Sequence, residues 1–121
     1  MDKDPTAFLF CHYLLDLTLI STSSLKYNPS LLAATSVFLA KRILKRACAF
    51  PKTIETQSGY RLAQVKHCAE HIGFLLMRAT DGEHLFEPLV SKYGEEYYGH
   101  VSLIPEQYRQ HYMMVQLRGE D

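Results

Sequence analysis

The stretch from Asn28 to Leu44, Asn-Pro-Ser-Leu-Leu-Ala-Ala-Thr-Ser-Val-Phe-Leu-Ala-Lys-Arg-Ile-Leu, constrains the fold more than any other part of the chain. Pro29 has no N–H to lose at a first helical position, and its fixed φ already suits a helix; Asn28 before it can cap with its side-chain oxygen. From there to Ala40 the residues are apolar on nearly every side. Small ones (Ala33, Ala34, Ser36, Ala40) alternate with large ones (Leu31, Leu32, Val37, Phe38, Leu39). A helix of that kind is surrounded by other helices rather than laid on a surface. The small residues let neighbouring backbones approach, and the large ones fill the gaps between them. Lys41, Arg42, Lys45 and Arg46 then place positive charge at the negative end of the helix dipole, so the expected span is 29–46.

The flanking segments supply its neighbours. Residues 7–20 read as a helix whose wide apolar face carries Leu14, Leu15, Leu17, Thr18, Leu19 and Ile20. Ser21-Thr-Ser-Ser24 ends it, because these hydroxyls compete for backbone groups, and Leu25 to Tyr27 connects onward. Pro51 opens a short helix that Gly59 stops. Residues 61–78 form the clearest amphipathic helix. Leu62, Val65, Cys68, Ala69, Ile72, Leu75 and Leu76 lie on one side, and Gln64, Lys66, His67, Glu70 and His71 lie largely on the other. Asp81-Gly82 makes a turn. A further helix over 83–93 carries Leu85, Phe86, Leu89, Val90 and Tyr93, with Pro88 marking its proper start. Gly94 and Gly99 flank a Tyr pair and end helices. No stretch reads as a β-hairpin, so the chain is an all-α domain.

The length of 121 residues fits one domain. Lys+Arg and Asp+Glu both number 13, so the net charge is zero with neutral histidines. That argues against a dedicated nucleic-acid domain and against an electrostatic membrane binder. The three cysteines, Cys11, Cys48 and Cys68, are odd in number and widely spaced, so no disulfide framework is expected and a reducing compartment is the simpler reading. The apolar run Leu31 to Ala40 is too short to span a bilayer. The stretch from Ala7 to Ile20 makes a poor signal peptide, since it carries His12 and Asp16 and lacks a small-residue cleavage site. A soluble, intracellular protein is expected.

Candidate chemistry is sparse. His67 and His71 are four apart on one helix face, a spacing that can chelate zinc. Cys68 between them points about 100° away towards the apolar stripe, and no second ligand pair stands nearby. Two solvated histidines and a core cysteine are the expected arrangement. Cys11 and His12 are adjacent, so they do not face each other as nucleophile and base. Glu95-Glu96 and Glu120-Asp121 read as solvated charge. Lys41, Arg42, Lys45 and Arg46 could touch phosphates, but a solvated last turn matched to the dipole explains them more simply. Tyr97, Tyr98, Tyr108 and Tyr112 could stack on bases or on a partner, and more often such residues cover a core edge. No catalytic, cofactor-binding or metal residue is assigned, and neither a cofactor nor a small-molecule substrate is expected.

The order of these segments resembles the second, C-terminal cyclin box of mitotic A/B-type cyclins. Leu-Lys-Tyr-Asn-Pro-Ser-Leu-Leu-Ala-Ala from Leu25, followed by Phe38-Leu-Ala-Lys41, is similar to that box's central helix. Tyr13 to Ile20 resembles the helix before it. Phe50-Pro51 with Ser58-Gly-Tyr60 resembles the short fourth helix, and Val65-Lys-His-Cys-Ala69 the fifth. Lys92-Tyr93 and Tyr98-Gly-His-Val-Ser-Leu103 resemble the closing segment. Pro5 to Phe10 resembles the hinge and the start of the box's first helix, yet the residues from Tyr13 already resemble its second. Most of the first helix therefore has no counterpart.

The resemblance implies a cyclin-like helical bundle: 1–10 as residual hinge and start of the first helix, 11–104 as the C-terminal domain, and 105–121 as a tail. Leu25, Tyr27, Pro29, Leu32, Ala33, Ala34, Leu39, Ala40, Gly59, Tyr60, Cys68 and Tyr93 match packing positions. No segment resembles the first box, so no binding residue is carried over. The implied function is that of a non-enzymatic regulator acting by protein contacts, with a cyclin-dependent kinase as partner and a location in nucleus and cytoplasm. A nucleic-acid-binding cyclin-like domain of a transcription factor is the alternative. A box short of one helix would leave apolar surface on its central bundle, which favours a partner, dimerisation or instability.

Overall fold

Pro5 opens a helix that runs unbroken to Ile20, here α1. The computed structural model describes residues 5–44, 56 and 58–105. α2 spans Pro29–Ile43, α3 Leu62–Thr80 and α4 Glu87–Tyr93, with single 3-10 turns at Thr22–Lys26, His84–Phe86, Glu96–Tyr98 and Val101–Leu103. Among the described residues there is no strand, so the all-α class stands. The helix expected from Pro51 lies outside the described residues except at Thr56 and Ser58, as do Lys45, Arg46 and Cys48.

Apolar burial fixes the arrangement. α1 contributes Phe10, Tyr13, Leu14 and Leu17, each fully buried. Leu32, Leu39, Ala40 and Ile43 of α2 and Cys68, Ile72, Leu75 and Leu76 of α3 meet them in one core, closed by Phe86, Tyr93 and Val101. A second, smaller cluster puts Phe38 of α2 against Val65 and Ala69 of α3, flanked by Tyr60. α2 is thus shared between two cores. Ala40, 1% exposed, shows how small residues let the helices close up. Ser36 is buried without penalty because its hydroxyl donates back to the Leu32 carbonyl at 2.9 Å.

The structure corrects four expectations. α2 is not enclosed on every side, since Pro29, Ser30 and Ala33 are exposed. Leu25 is not a packing residue: it is 83% exposed on the 3-10 turn. Gly59 lies exposed at φ +79°, serving backbone conformation rather than packing. Asn28 stands at the N-cap without a side-chain capping bond; only its carbonyl takes part, accepting from the Leu32 N–H at 3.0 Å. Pro29 is at the first helical position, as read.

α3 ends in a Schellman motif. The Glu83 N–H donates to the Arg78 carbonyl and the Gly82 N–H to the Ala79 carbonyl, both at 3.1 Å. Gly82 makes this possible at φ +90°, where a Cβ would be strained although nothing lies within 4 Å of it. The Arg78 guanidinium pairs with the Glu83 carboxylate and also lies over the Phe86 ring at 5.3 Å. Gly82→Ala is expected to destabilise the domain by about 1–2 kcal/mol, the cost of a left-handed non-glycine residue, read as a lower denaturant midpoint.

Candidate functional site

The sequence-derived candidates do not converge. His67 is exposed, and Cys68 points into the main core. Burial pushes the Cys68 thiol up, with the Thr35 hydroxyl beside it partly offsetting this. His71 is half-buried rather than solvated, a correction to the expected pair. Its Nε2 lies 2.8 Å from Ser24 Oγ, and its ring sits 5.2 Å from the Tyr27 ring. Periodicity could not show this, because the partner comes from an irregular turn 47 positions earlier. Among the described residues no three of His, Cys, Asp and Glu stand together to hold a metal ion.

Cys11 and His12 diverge as helix geometry requires. Cys11 is half-buried and burial pushes its thiol up to about 11, the opposite of what activates a nucleophile. His12 sits edge-on to Phe8 with ring centroids 4.5 Å apart. On the basic edge, the Arg42 guanidinium lies 5.3 Å from the Phe38 ring centroid, and burial lowers its pKa. Glu95 and Glu96 are exposed. Glu120, Asp121, Tyr108 and Tyr112 lie outside the described residues.

The aromatic residues are brought together. Ring centroids run from Phe10 to Tyr13 at 6.2 Å, to Tyr93 at 5.2 Å and to Tyr98 at 4.9 Å. Tyr97 adds an edge-on contact with Tyr98 at 4.9 Å and is itself 83% exposed. Tyr98 thus covers a core edge, whereas Tyr97 projects from it. The Tyr93 hydroxyl donates to Asp16 Oδ2 at 2.5 Å across 77 positions of sequence. Burial first, then this bond, pushes the Tyr93 phenol up.

Two apolar grooves flank the α1–α2 pair. The larger, of about 470 Å³, is bordered by Leu15, Leu19, Leu25, Tyr27, Pro29 and Leu32. Leu19 is 75% exposed at its rim. The smaller, of about 340 Å³, is lined by Ala7, Phe8, Cys11, His12, Val37, Ala40 and Lys41. Sequence reasoning anticipated apolar surface but could not place it, since an apolar side chain has the same pattern whether covered or bare. Surfaces of this kind offer contact area rather than chemistry. No helix among the described residues is long and apolar enough to cross a membrane.

Comparison with known proteins agrees with a helical domain of this kind. The family model for the cyclin C-terminal domain matches residues 1–107. Cyclin-B1-2 of Arabidopsis thaliana is 28% identical over 102 residues, covering 84% of this chain and 22% of that protein. Cyclin-B1-3 of the same plant is 31% identical over 93 residues, 77% of this chain and 22% of the relative. The G2/mitotic-specific cyclin-A of Hydra viridissima is 34% identical over 95 residues, with 77% and 22% covered. The chain therefore spans about a fifth of the length of these relatives. With a family match across the three long helices, the order of segments and the buried position of Leu32, Leu39, Cys68 and Tyr93, the chain belongs to the cyclin C-terminal domain family.

Proposed function

We propose that this chain acts as the second-box part of a cyclin-type regulator, working by protein contacts in cell-cycle control, with a cyclin-dependent kinase as its partner. The match to the cyclin C-terminal domain over residues 1–107 carries this reading, and the mitotic cyclins among its relatives support cell-cycle control as the process. The internal polar contacts support it: Ser24 with His71 and Tyr93 with Asp16 hold elements together, leaving apolar grooves as the notable surface. A regulator of this type shifts a kinase between pre-existing states through differential contacts and performs no bond chemistry itself. Nothing in the comparisons supports the nucleic-acid alternative.

Affinity capture from extract with the full chain as bait is expected to recover a cyclin-dependent kinase. A free kinase mixed with the purified chain is expected to stay weakly active, since no segment resembles the first box. Failure to recover any such kinase, or strong activation by this chain alone, would each revise the proposal.

A further inference from the structure

The two apolar grooves are the ends of one furrow. The larger joins Leu15 and Leu19, late in α1, to Pro29 and Leu32 at the start of α2. The smaller joins Ala7 and Phe8, early in α1, to Val37 and Ala40 late in α2. α1 and α2 therefore run antiparallel, and the furrow follows their seam for the length of α1, about 24 Å at about 1.5 Å per residue.

Beside the furrow stands a stripe of four side chains. Phe8, His12, Leu15 and Leu19 lie within about 60° of one another at about 100° per residue, on the side of α1 opposite its buried residues. Phe8 is 49% and Leu19 75% exposed, His12 is exposed, and Leu15 is half-buried. α1 holds a single charged residue, Asp16, among its 16 residues, and that carboxylate is turned to the Tyr93 hydroxyl. The stripe itself is free of Asp, Glu, Lys and Arg.

We infer that this stripe is a self-recognition surface: two copies of the chain pair through α1, antiparallel about a two-fold axis, with Phe8 of each against Leu19 of the other and His12 against Leu15.

Two features select a second copy over an unrelated helix. The first is spacing. The steps along the stripe are four, three and four residues, the same from either end. A two-fold axis across the helix reverses one copy, and a stripe with that symmetry keeps all four positions in register with its own reversed image. The second is charge. A face without formal charge meets its own copy with no like-charge pair, and it offers a charged partner helix nothing to pair with. The furrow supplies the groove into which the partner's ridge packs, and α1 and α2 of both copies then form an antiparallel four-helix arrangement.

The nearest cations lie at the ends. Reversal brings the late end of α1 in one copy to the early end in the other, so Lys26, exposed beyond one end, approaches Lys41 beside the other. Both stand outside the stripe, where salt screens their repulsion. Added salt is therefore expected to tighten the pair rather than loosen it.

Sedimentation of the full chain tests this, at about pH 8, above the ordinary imidazole range, and from about 1 µM to about 500 µM. The interface is small, so a Kd on the order of 10–100 µM is expected. The mass should rise with concentration from the 13.9 kDa of one chain towards twice that value. Leu19→Glu, at an open position, should weaken pairing about tenfold or more by setting a carboxylate against apolar surface. Leu19→Ala should act in the same direction without adding charge, a check should the glutamate disturb the helix. Leu62→Glu, on α3 and also exposed, should leave pairing unchanged. The double variant Phe8→Lys, Leu19→Glu should pair more tightly than Leu19→Glu, because antiparallel copies set opposite charges together at both ends, whereas parallel copies would set like charges together. A chain that stays monomeric to about 500 µM would overturn the pairing. So would a dimer indifferent to both Leu19 variants, or a double variant no tighter than Leu19→Glu. These outcomes are independent of whether a kinase binds.

Discussion

Phe10→Ala is expected to destabilise the domain by about 3–5 kcal/mol, the usual cost of truncating a buried aromatic side chain. Phe10 has no exposed surface and belongs to the main core, its ring 6.2 Å from that of Tyr13. The substitution removes the ring and leaves a cavity between helices that cannot collapse freely. Against a total stability of about 5–15 kcal/mol for a domain, this is enough to populate the unfolded state visibly. Urea unfolding should show a large fall in midpoint with little change in slope. Phe8→Ala, two positions earlier, is the contrast. Phe8 is 49% exposed, so its loss should stay within about 0.5 kcal/mol. Equal effects at both sites would mean that the first turns of α1 do not pack as described.

The second large effect is expected at Asp16. Its carboxylate accepts the Tyr93 hydroxyl at 2.5 Å and joins α1 to α4. A hydrogen bond to a charged group contributes about 1.5–3 kcal/mol, and Asp16→Ala would also strand a phenol that is almost completely buried. The predicted loss is therefore about 2 kcal/mol, at the middle of that range because Asp16 is itself only half-buried. Asp16→Asn keeps an acceptor and should lose less. Tyr93→Phe removes the donor together with its need for a partner. The double variant Asp16→Ala, Tyr93→Phe should thus be more stable than the two single losses summed. Strict additivity would show that the pair is not coupled.

These two positions also mark what could be read from the amino acids alone. Phe10 falls within the helix that periodicity assigns to 7–20, and Tyr93 within the one assigned to 83–93. Pro29 and Gly82 place two helix ends because each acts through its own backbone, whatever surrounds it. Partnerships across the fold were not legible. Nothing near Asp16 announces a tyrosine 77 positions on, and nothing near His71 announces Ser24. Burial was legible only where a helix is flanked on that side. Cys68 and Leu39 are enclosed as expected, yet Leu25 is bare. Leu62 and Leu85, both in apolar positions of their helices, remain 40% and 49% exposed. An apolar stripe states which side chains avoid water, and the neighbouring elements decide which of them succeed.

Phe10 in α1 and Val101 in the last 3-10 turn of the described residues share a single core, and a methyl placed on Gly99 would sit 3.6 Å from Leu9 Cδ1. The opening and closing segments of the domain are therefore clasped together at one pole. Among the described residues, the chain therefore enters α1 and leaves Val101–Leu103 at that same pole, and a load pulling these two points apart would fall directly on the seam between them.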